Sequence, residues 1–344
     1  MRQTLLSVGM AVGLTLLGCT PARSQLLING AGSTFGYPIY SKWFDAYTKV
    51  DPSVRFNYQS IGSGGGINML LNRTVDIGAS DAPLTAEQIK RAPAPVLHFP
   101  TVLGAVSIAY NLPGLKGTLR LTGPVIADIY LGKITQWSDP AVAQLNPGMT
   151  LPAKPITVVH RSDGSGDTYI FADYLSKISP EWASKVGTST ALKWPTGLGG
   201  KGNEGVTALV TQTPYSIGYV TLIYALQIHQ PVAEVQNRDG VWIMPSLKSV
   251  TAAAAGAASN MPSDFRVSIV NAPGHDAYPI SSFTWMIVYA RQEDAKKGAA
   301  IKKFLSWMLE QGQRYASAMN YAPLPPEVVT LEQAQLEKLE VASK

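Results

Sequence analysis

The sequence predicts an α/β protein of two domains, on three observations. Runs that read as strands alternate with runs that read as helices. Three of the joints between them are Gly/Ser turns of one kind: Gly30-Ala31-Gly32-Ser33-Thr34-Phe35, Ile61-Gly62-Ser63-Gly64-Gly65-Gly66 and Arg161-Ser162-Asp163-Gly164-Ser165-Gly166. The length, 344 residues with 46% apolar, is material for more than one core.

The chain starts with a basic residue, Arg2, and an apolar run from Leu5 to Leu17. That run falls short of the roughly 20 residues of a bilayer span and reads as a secretory signal. Leu16-Leu17-Gly18-Cys19 resembles the lipobox of bacterial lipoproteins. The expectation is a signal over residues 1–18, lipid on Cys19, and a linker over 19–25. Acyl chains would then hold the protein at a membrane surface in the periplasm or cell envelope. Cys19 is the single cysteine, so no intrachain disulfide is expected and stability comes from burial. Net charge is +5, but Lys and Arg are scattered, which argues against nucleic acid as a partner.

Leu26-Leu27-Ile28 reads as a strand and Tyr37 to Val50 as a helix. Ile39, Tyr40, Trp43, Phe44 and Tyr47 recur there at helical spacing and predict a core stripe. Val54 to Tyr58 predicts a second strand, and Ile67 to Leu71 a short helix. Val75 to Pro83 predicts a short strand running into a turn. Thr85 is placed to cap a helix over Ala86 to Arg91. Val96 to Tyr110 reads as two strands with a bend at Gly104. Pro124 to Leu131 reads as a helix, Asp139-Pro140 opens another, and Asn146-Pro147-Gly148 is a turn.

Ile156 to Val159 predicts a strand, and Tyr169 to Leu175 a helix. Trp194 to Asn203 reads as a glycine-rich loop. It contains Gly197, Gly199 and Gly202 at dinucleotide spacing, but no strand is expected before it, which excludes that reading. Asn203 is expected to cap the helix through Val210. Ser216 to Val220, Val267 to Val270 and Phe283 to Ala290 read as strands. Ala252 to Ala258, a stretch within Ala295 to Met319, and Thr330 to Val341 read as helices.

The turns carry the chemistry. Each joins a strand-like to a helix-like run, and free N–H groups of a first helical turn favour an anion. Three such turns suggest helix N-termini converging on one anion. Arg161 adds a planar fork suited to oxyanions. His98, His160, His229 and His275 show no metal spacing, and no metal or cofactor is expected. Gly-x-Ser-x-Gly is not formed at Ser33, Ser63 or Ser165, which weakens a hydrolase reading.

These motifs resemble the phosphate-binding proteins of the bacterial phosphate ABC transporter (PstS-type). So do Asp76 to Pro83, Asp128 to Ile134, Trp194-Pro195 with Gly199 to Asn203, and Tyr278-Pro279-Ile280. The resemblance spans nearly the whole chain after the signal. It implies a type II periplasmic binding protein fold, with two α/β domains, a two-crossing hinge and the ligand in the cleft. Domain I is then residues 26–106 and 279–344, and domain II residues 107–278. It also implies no catalysis, with phosphate passed to transmembrane permease subunits. Carried over by position, Thr34, the Phe35 N–H, Ser63 and Asp81 bind from domain I. Arg161, Ser165, Gly166 and Asp167 bind from domain II, with Asp163 orienting Arg161.

Asp167 departs from the pattern, since many relatives carry a hydroxyl there and an ionised carboxylate cannot donate. Either it faces Arg161 or solvent, or it accepts a second phosphate proton; Thr168 could supply the missing hydroxyl. The competing functions are a binder of another tetrahedral oxyanion, a secreted phosphatase or esterase using Ser165, and a surface adhesin.

Overall fold

The computed structural model describes residues 25–256 and 260–343. The expected signal, Cys19 and the linker before Gln25 lie outside the described residues.

The first part of the chain runs β1 (Leu26–Gly32), α1 (Tyr37–Thr48), β2 (Val54–Ser60), α2 (Ser63–Leu71), β3 (Ile77–Ser80), α3 (Ala86–Arg91) and β4 (Val96–Asn111). It continues through β5 (Arg120–Leu121), α4 (Gly123–Tyr130), α5 (Pro140–Ala143), β6 (Thr157–Arg161), α6 (Gly166–Ile178) and α7 (Pro180–Lys185). Then follow β7 (Leu198–Gly200), α8 (Gly202–Gln212), β8 (Ser216–Thr221), α9 (Leu222–Gln227), β9 (Glu234–Gln236), β10 (Trp242–Ile243) and α10 (Leu247–Ala254). The chain closes with β11 (Ser281–Tyr289), β12 (Arg291–Gln292), α11 (Ala295–Glu310), α12 (Pro326–Leu336) and β13 (Glu340–Val341).

Eight strands line up in the order β2-β1-β3-β11-β4-β8-β6-β7. Strand β4 belongs to both halves of this array. Its residues Val96–Ala105 pair antiparallel with β11, and Val106–Asn111 pair antiparallel with β8. The return passage lies beside the change of partner: the Val106 N–H donates to the Ile280 carbonyl, and the Tyr278 hydroxyl to the Val106 carbonyl. The first half is therefore built from β1, β2, β3 and β11, the second from β6, β7 and β8. In each half parallel strands deliver their C-terminal ends to helix N-termini, which is where α/β sheets bind ligands.

The α1 stripe does what its spacing requires. Ile39, Tyr40, Trp43 and Tyr47 are buried, and Phe44 stacks on Phe56 at 4.5 Å. Thr85 caps α3 in a reciprocal pair with Gln88.

Several expectations fail for identifiable reasons. Strand β4 is continuous, without a break at Gly104. A Cβ there would meet the Phe35 ring at 2.5 Å, so this glycine makes room for an aromatic ring rather than a bend. Leu198–Gly200, expected to be loop, joins the sheet edge beside β6. Asn203 is not the cap of α8: Lys201 is, so Asn203 sits inside the first turn and its side chain is free for other partners. Val267–Val270 forms no strand despite its β-branched run. Ile269 and Val270 are buried by side-chain packing without a ladder partner. Helix α10 starts at Leu247 because Ser246 and Ser249 form a capping box, ahead of the alanine run. Helix α12 starts at Pro326, whose fixed φ suits a first turn, and ends before Glu340–Val341 pair with β12.

Candidate functional site

The three Gly/Ser turns meet between the two sheet halves. The β1–α1 turn brings Ser33, Thr34 and Phe35; the β2–α2 turn brings Ser63; the end of β3 brings Asp81. All five are buried. From the opposite half, the β6–α6 turn brings Arg161, Asp163, Ser165, Gly166 and Asp167. The two sides touch: the Gly64 N–H donates to the Gly164 carbonyl at 2.9 Å. A Cβ on Gly166 would lie 2.3 Å from Asp81 Oδ2 and 2.5 Å from Ser63 Oγ.

Donors dominate this junction. Among the described residues, the N–H groups of Thr34, Phe35 and Ser63 on one side find no acceptor. Nor do those of Gly166 and Asp167 on the other. Two of these five lie in the first turn of α6 and one in the first turn of α2, where no intrahelical acceptor exists. Ser165 Oγ accepts the Thr168 N–H at 3.1 Å, which leaves its own hydrogen free.

Arg161 is only 2% exposed and is held on two sides. Its Nε and one Nη donate to Asp163 at 2.8 and 2.6 Å, and its other Nη to Asp167 at 2.8 Å. A guanidinium has five N–H donors, so two remain for another acceptor. Burial would raise the Asp163 carboxyl. The Arg161 guanidinium and the Gly202 N–H outweigh that and hold it below the usual carboxylate range.

Asp81 is an acceptor centre. Ser33, Ser63 (3.1 Å) and Thr284 (2.6 Å) all donate hydroxyls to it. Tyr40 extends the network to Thr284 and Thr101, both at 3.0 Å. Burial, and then the nearby Asp167 charge, push Asp81 up to about 7 against the pull of the three hydroxyls.

Of the alternatives open for Asp167, its side chain takes the one facing Arg161. Oδ2 accepts Arg161 and Asn203, and Oδ1 accepts the Thr221 hydroxyl at 2.6 Å. Its backbone N–H still points with the first turn of α6. The Thr168 hydroxyl lies 2.6 Å from that of Tyr219, which also accepts the Arg161 N–H at 3.0 Å. His160 stacks on Trp194 at 4.6 Å with Nδ1 on the Arg161 carbonyl.

Sequence reasoning missed Ser33 and Thr284 on Asp81, Thr221 on Asp167, and Asn203 and Tyr224 on Thr34. Thr284 could have been noticed as a hydroxyl inside the apolar run Phe283 to Val288. Ser33 and Asn203 lie within motifs already singled out, but nothing local pointed to these partners, and no local signal marked Thr221 or Tyr224. Among the described residues, no cluster of His, Cys, Asp or Glu could hold a metal ion, and no helix is long and apolar enough to cross a membrane.

A family model described as a PBP superfamily domain matches residues 19–311. The chain is 45% identical over 303 residues to the phosphate-binding protein PstS of Xylella fastidiosa, covering 88% of this chain and 82% of that one. It is 45% identical over 317 residues to PstS of Pasteurella multocida, covering 92% and 91%. Among solved structures, a phosphate-binding protein from Stenotrophomonas maltophilia superimposes with a TM-score of 0.67 at 20% identity, covering 90% of this chain and 93% of that one. That likeness shows the periplasmic binding protein fold. With the sequence relatives it leads to one conclusion: the chain belongs to the PstS family of phosphate-binding proteins, within the PBP superfamily.

Proposed function

We propose that this protein is an extracytoplasmic receptor that binds inorganic phosphate at the junction and delivers it to the permease of an ABC transporter. The observation that carries the reading is the set of five backbone N–H groups that find no acceptor among the described residues, contributed by both sheet halves around Arg161. Asp163 and Asp167 already neutralise the one guanidinium, and Asp81 adds a third carboxylate to the junction. Attraction to an anion therefore comes from N–H and O–H dipoles more than from net charge.

Thr34, Phe35 and Ser63 with Arg161, Ser165 and Gly166 form the binding set, and Asp81 reads a proton on the ligand. Asp163 orients Arg161. Asp167 contributes its N–H to the ligand and its carboxylate to Arg161. Residues 26–106 with 279–344 act as one lobe and 107–278 as the other, with β4 and the Tyr278–Ile280 passage as the hinge. Lipid on Cys19 anchors the receptor at the membrane. Intact mass of detergent-extracted protein is expected to show a chain starting at Cys19 with acyl groups. An unmodified chain starting near Ala22 would contradict the anchor.

Binding rather than catalysis is supported by Ser165, whose oxygen caps α6, and by His160, which is turned to Trp194. Equilibrium dialysis with radiolabelled phosphate tests the reading: one phosphate is retained per chain, and a chromogenic phosphate ester is not turned over. Turnover abolished by Ser165→Ala would instead establish an esterase.

Gly166→Ala probes closure. The new Cβ would overlap Asp81 Oδ2 and Ser63 Oγ, and also Asp81 Cβ at 2.5 Å, which no rotamer change moves away. Overpacking of this kind costs about 1–3 kcal/mol, or roughly 5- to 150-fold in phosphate affinity. The ligand-free melting temperature should move little, because the clash exists only when the lobes meet. Parent-like affinity would mean that the lobes bind phosphate farther apart.

A further inference from the structure

Asn203 has no part in the binding set, yet it is fully buried and touches both sheet halves. Its amide has three partners. Oδ1 accepts the Thr221 N–H at 2.8 Å. Nδ2 donates to Asp167 Oδ2 at 2.8 Å and to Thr34 Oγ1 at 2.9 Å. The first two bonds fix the orientation of the amide, since a backbone N–H is met only by the oxygen and a carboxylate oxygen by the nitrogen. Thr34 Oγ1 therefore accepts.

A hydroxyl that accepts from a neighbour keeps its own hydrogen for another partner, and Thr34 donates it to none of the described residues. The Thr34 carbonyl is also held from the opposite half, by the Tyr224 hydroxyl at 2.7 Å. Thr34 belongs to the β1–α1 turn of the first half, while Asn203 and Tyr224 lie on α8 and α9 of the second. These bonds exist only while the halves are together.

We infer that Asn203 is a positioning residue that ties the closed lobes through Thr34 and fixes the Thr34 hydroxyl as a donor to the bound anion. The inference rests on the phosphate reading and adds a residue to it. Its chemistry predicts a kinetic signature. Association begins with the lobes apart, so the on-rate is insensitive to the tie. Release requires the tie to break, so the off-rate is sensitive.

The test is phosphate binding by calorimetry and stopped flow on the parent and on Asn203→Ala, each also in Thr34→Val and Thr34→Ser backgrounds. Asn203→Ser, which keeps a polar group near Thr221 but falls short of Thr34, is made in parallel in case the alanine variant does not fold. With Thr34 intact, either Asn203 variant should weaken binding about tenfold or more, through the off-rate. With Thr34→Val the same change should cost at least about threefold less than in the parent, because the Thr34 bond is already gone and only the Asp167 and Thr221 bonds remain to be lost. With Thr34→Ser, which retains the hydroxyl, the full effect should return. An equal loss in all three backgrounds, or no loss in any, overturns the tie while leaving the phosphate reading intact. A parent that does not bind phosphate overturns that reading, and the tie with it.

Discussion

Arg161→Ala is expected to weaken phosphate binding by roughly 30-fold to several thousandfold, the largest effect of any single change at this site. Truncating one partner of a buried, hydrogen-bonded charge pair costs about 2–5 kcal/mol. Arg161 is buried, and among the described residues its two remaining N–H groups are the cationic donors at the junction. Removing it also leaves Asp163 and Asp167 facing the ligand without a counter-charge. Arg161→Lys keeps the charge but not the fork that spans both carboxylates, so it should recover only part of the loss. Calorimetric titration of both variants checks this, and binding by Arg161→Ala within about threefold of the parent would mean that the anion lies elsewhere.

The second large effect concerns selectivity. An ionised Asp81 can only accept, so it suits a phosphate that carries a proton and repels sulfate, which carries none near neutrality. Asp81→Asn offers an N–H instead. It should bring the sulfate and phosphate dissociation constants closer by about tenfold or more, one hydrogen bond gained in place of a repulsion.

The pH dependence follows from the raised carboxyl. Asp81 in the folded chain holds its proton up to about 7, whereas unfolded it would lose it near 4. Above pH 7 it is mostly ionised and, if it reads the ligand proton as proposed, would repel sulfate; below, a growing fraction carries a proton and could donate to sulfate. Sulfate binding to the parent should therefore strengthen relative to phosphate between pH 8 and pH 6, and the pH dependence due to this carboxyl should be absent in Asp81→Asn. The same linkage makes the closed form lose stability relative to the unfolded chain as pH rises from about 4 to about 7 on account of this one group. Parallel sulfate profiles for parent and variant would show that Asp81 does not read the ligand proton.

The sequence carried the parts of this site that are local. The Gly/Ser turns and the Arg161–Asp163 pair two residues apart depend on neighbours in the chain, as the Thr85 cap of α3 does outside the site, and their residue types announce the geometry. The supporting shell was not legible because its partners are remote. Thr284 reaches Asp81 across 203 positions and Asn203 reaches Thr34 across 169, and no periodicity encodes such meetings. The same limit explains β4. Its glycine read as a bend because its partner, the Phe35 ring, lies on a different element. Val267–Val270 shows the converse, since β-branched residues were buried by packing where no strand was available to pair with them.

Calorimetry of the purified protein with phosphate and then sulfate at pH 8 tests the central claim most directly. The account predicts one phosphate per chain and sulfate binding weaker by about a hundredfold or more, the sum of a lost hydrogen bond and a carboxylate facing a bare oxygen. No saturable heat with phosphate, or sulfate bound as tightly as phosphate, would contradict it.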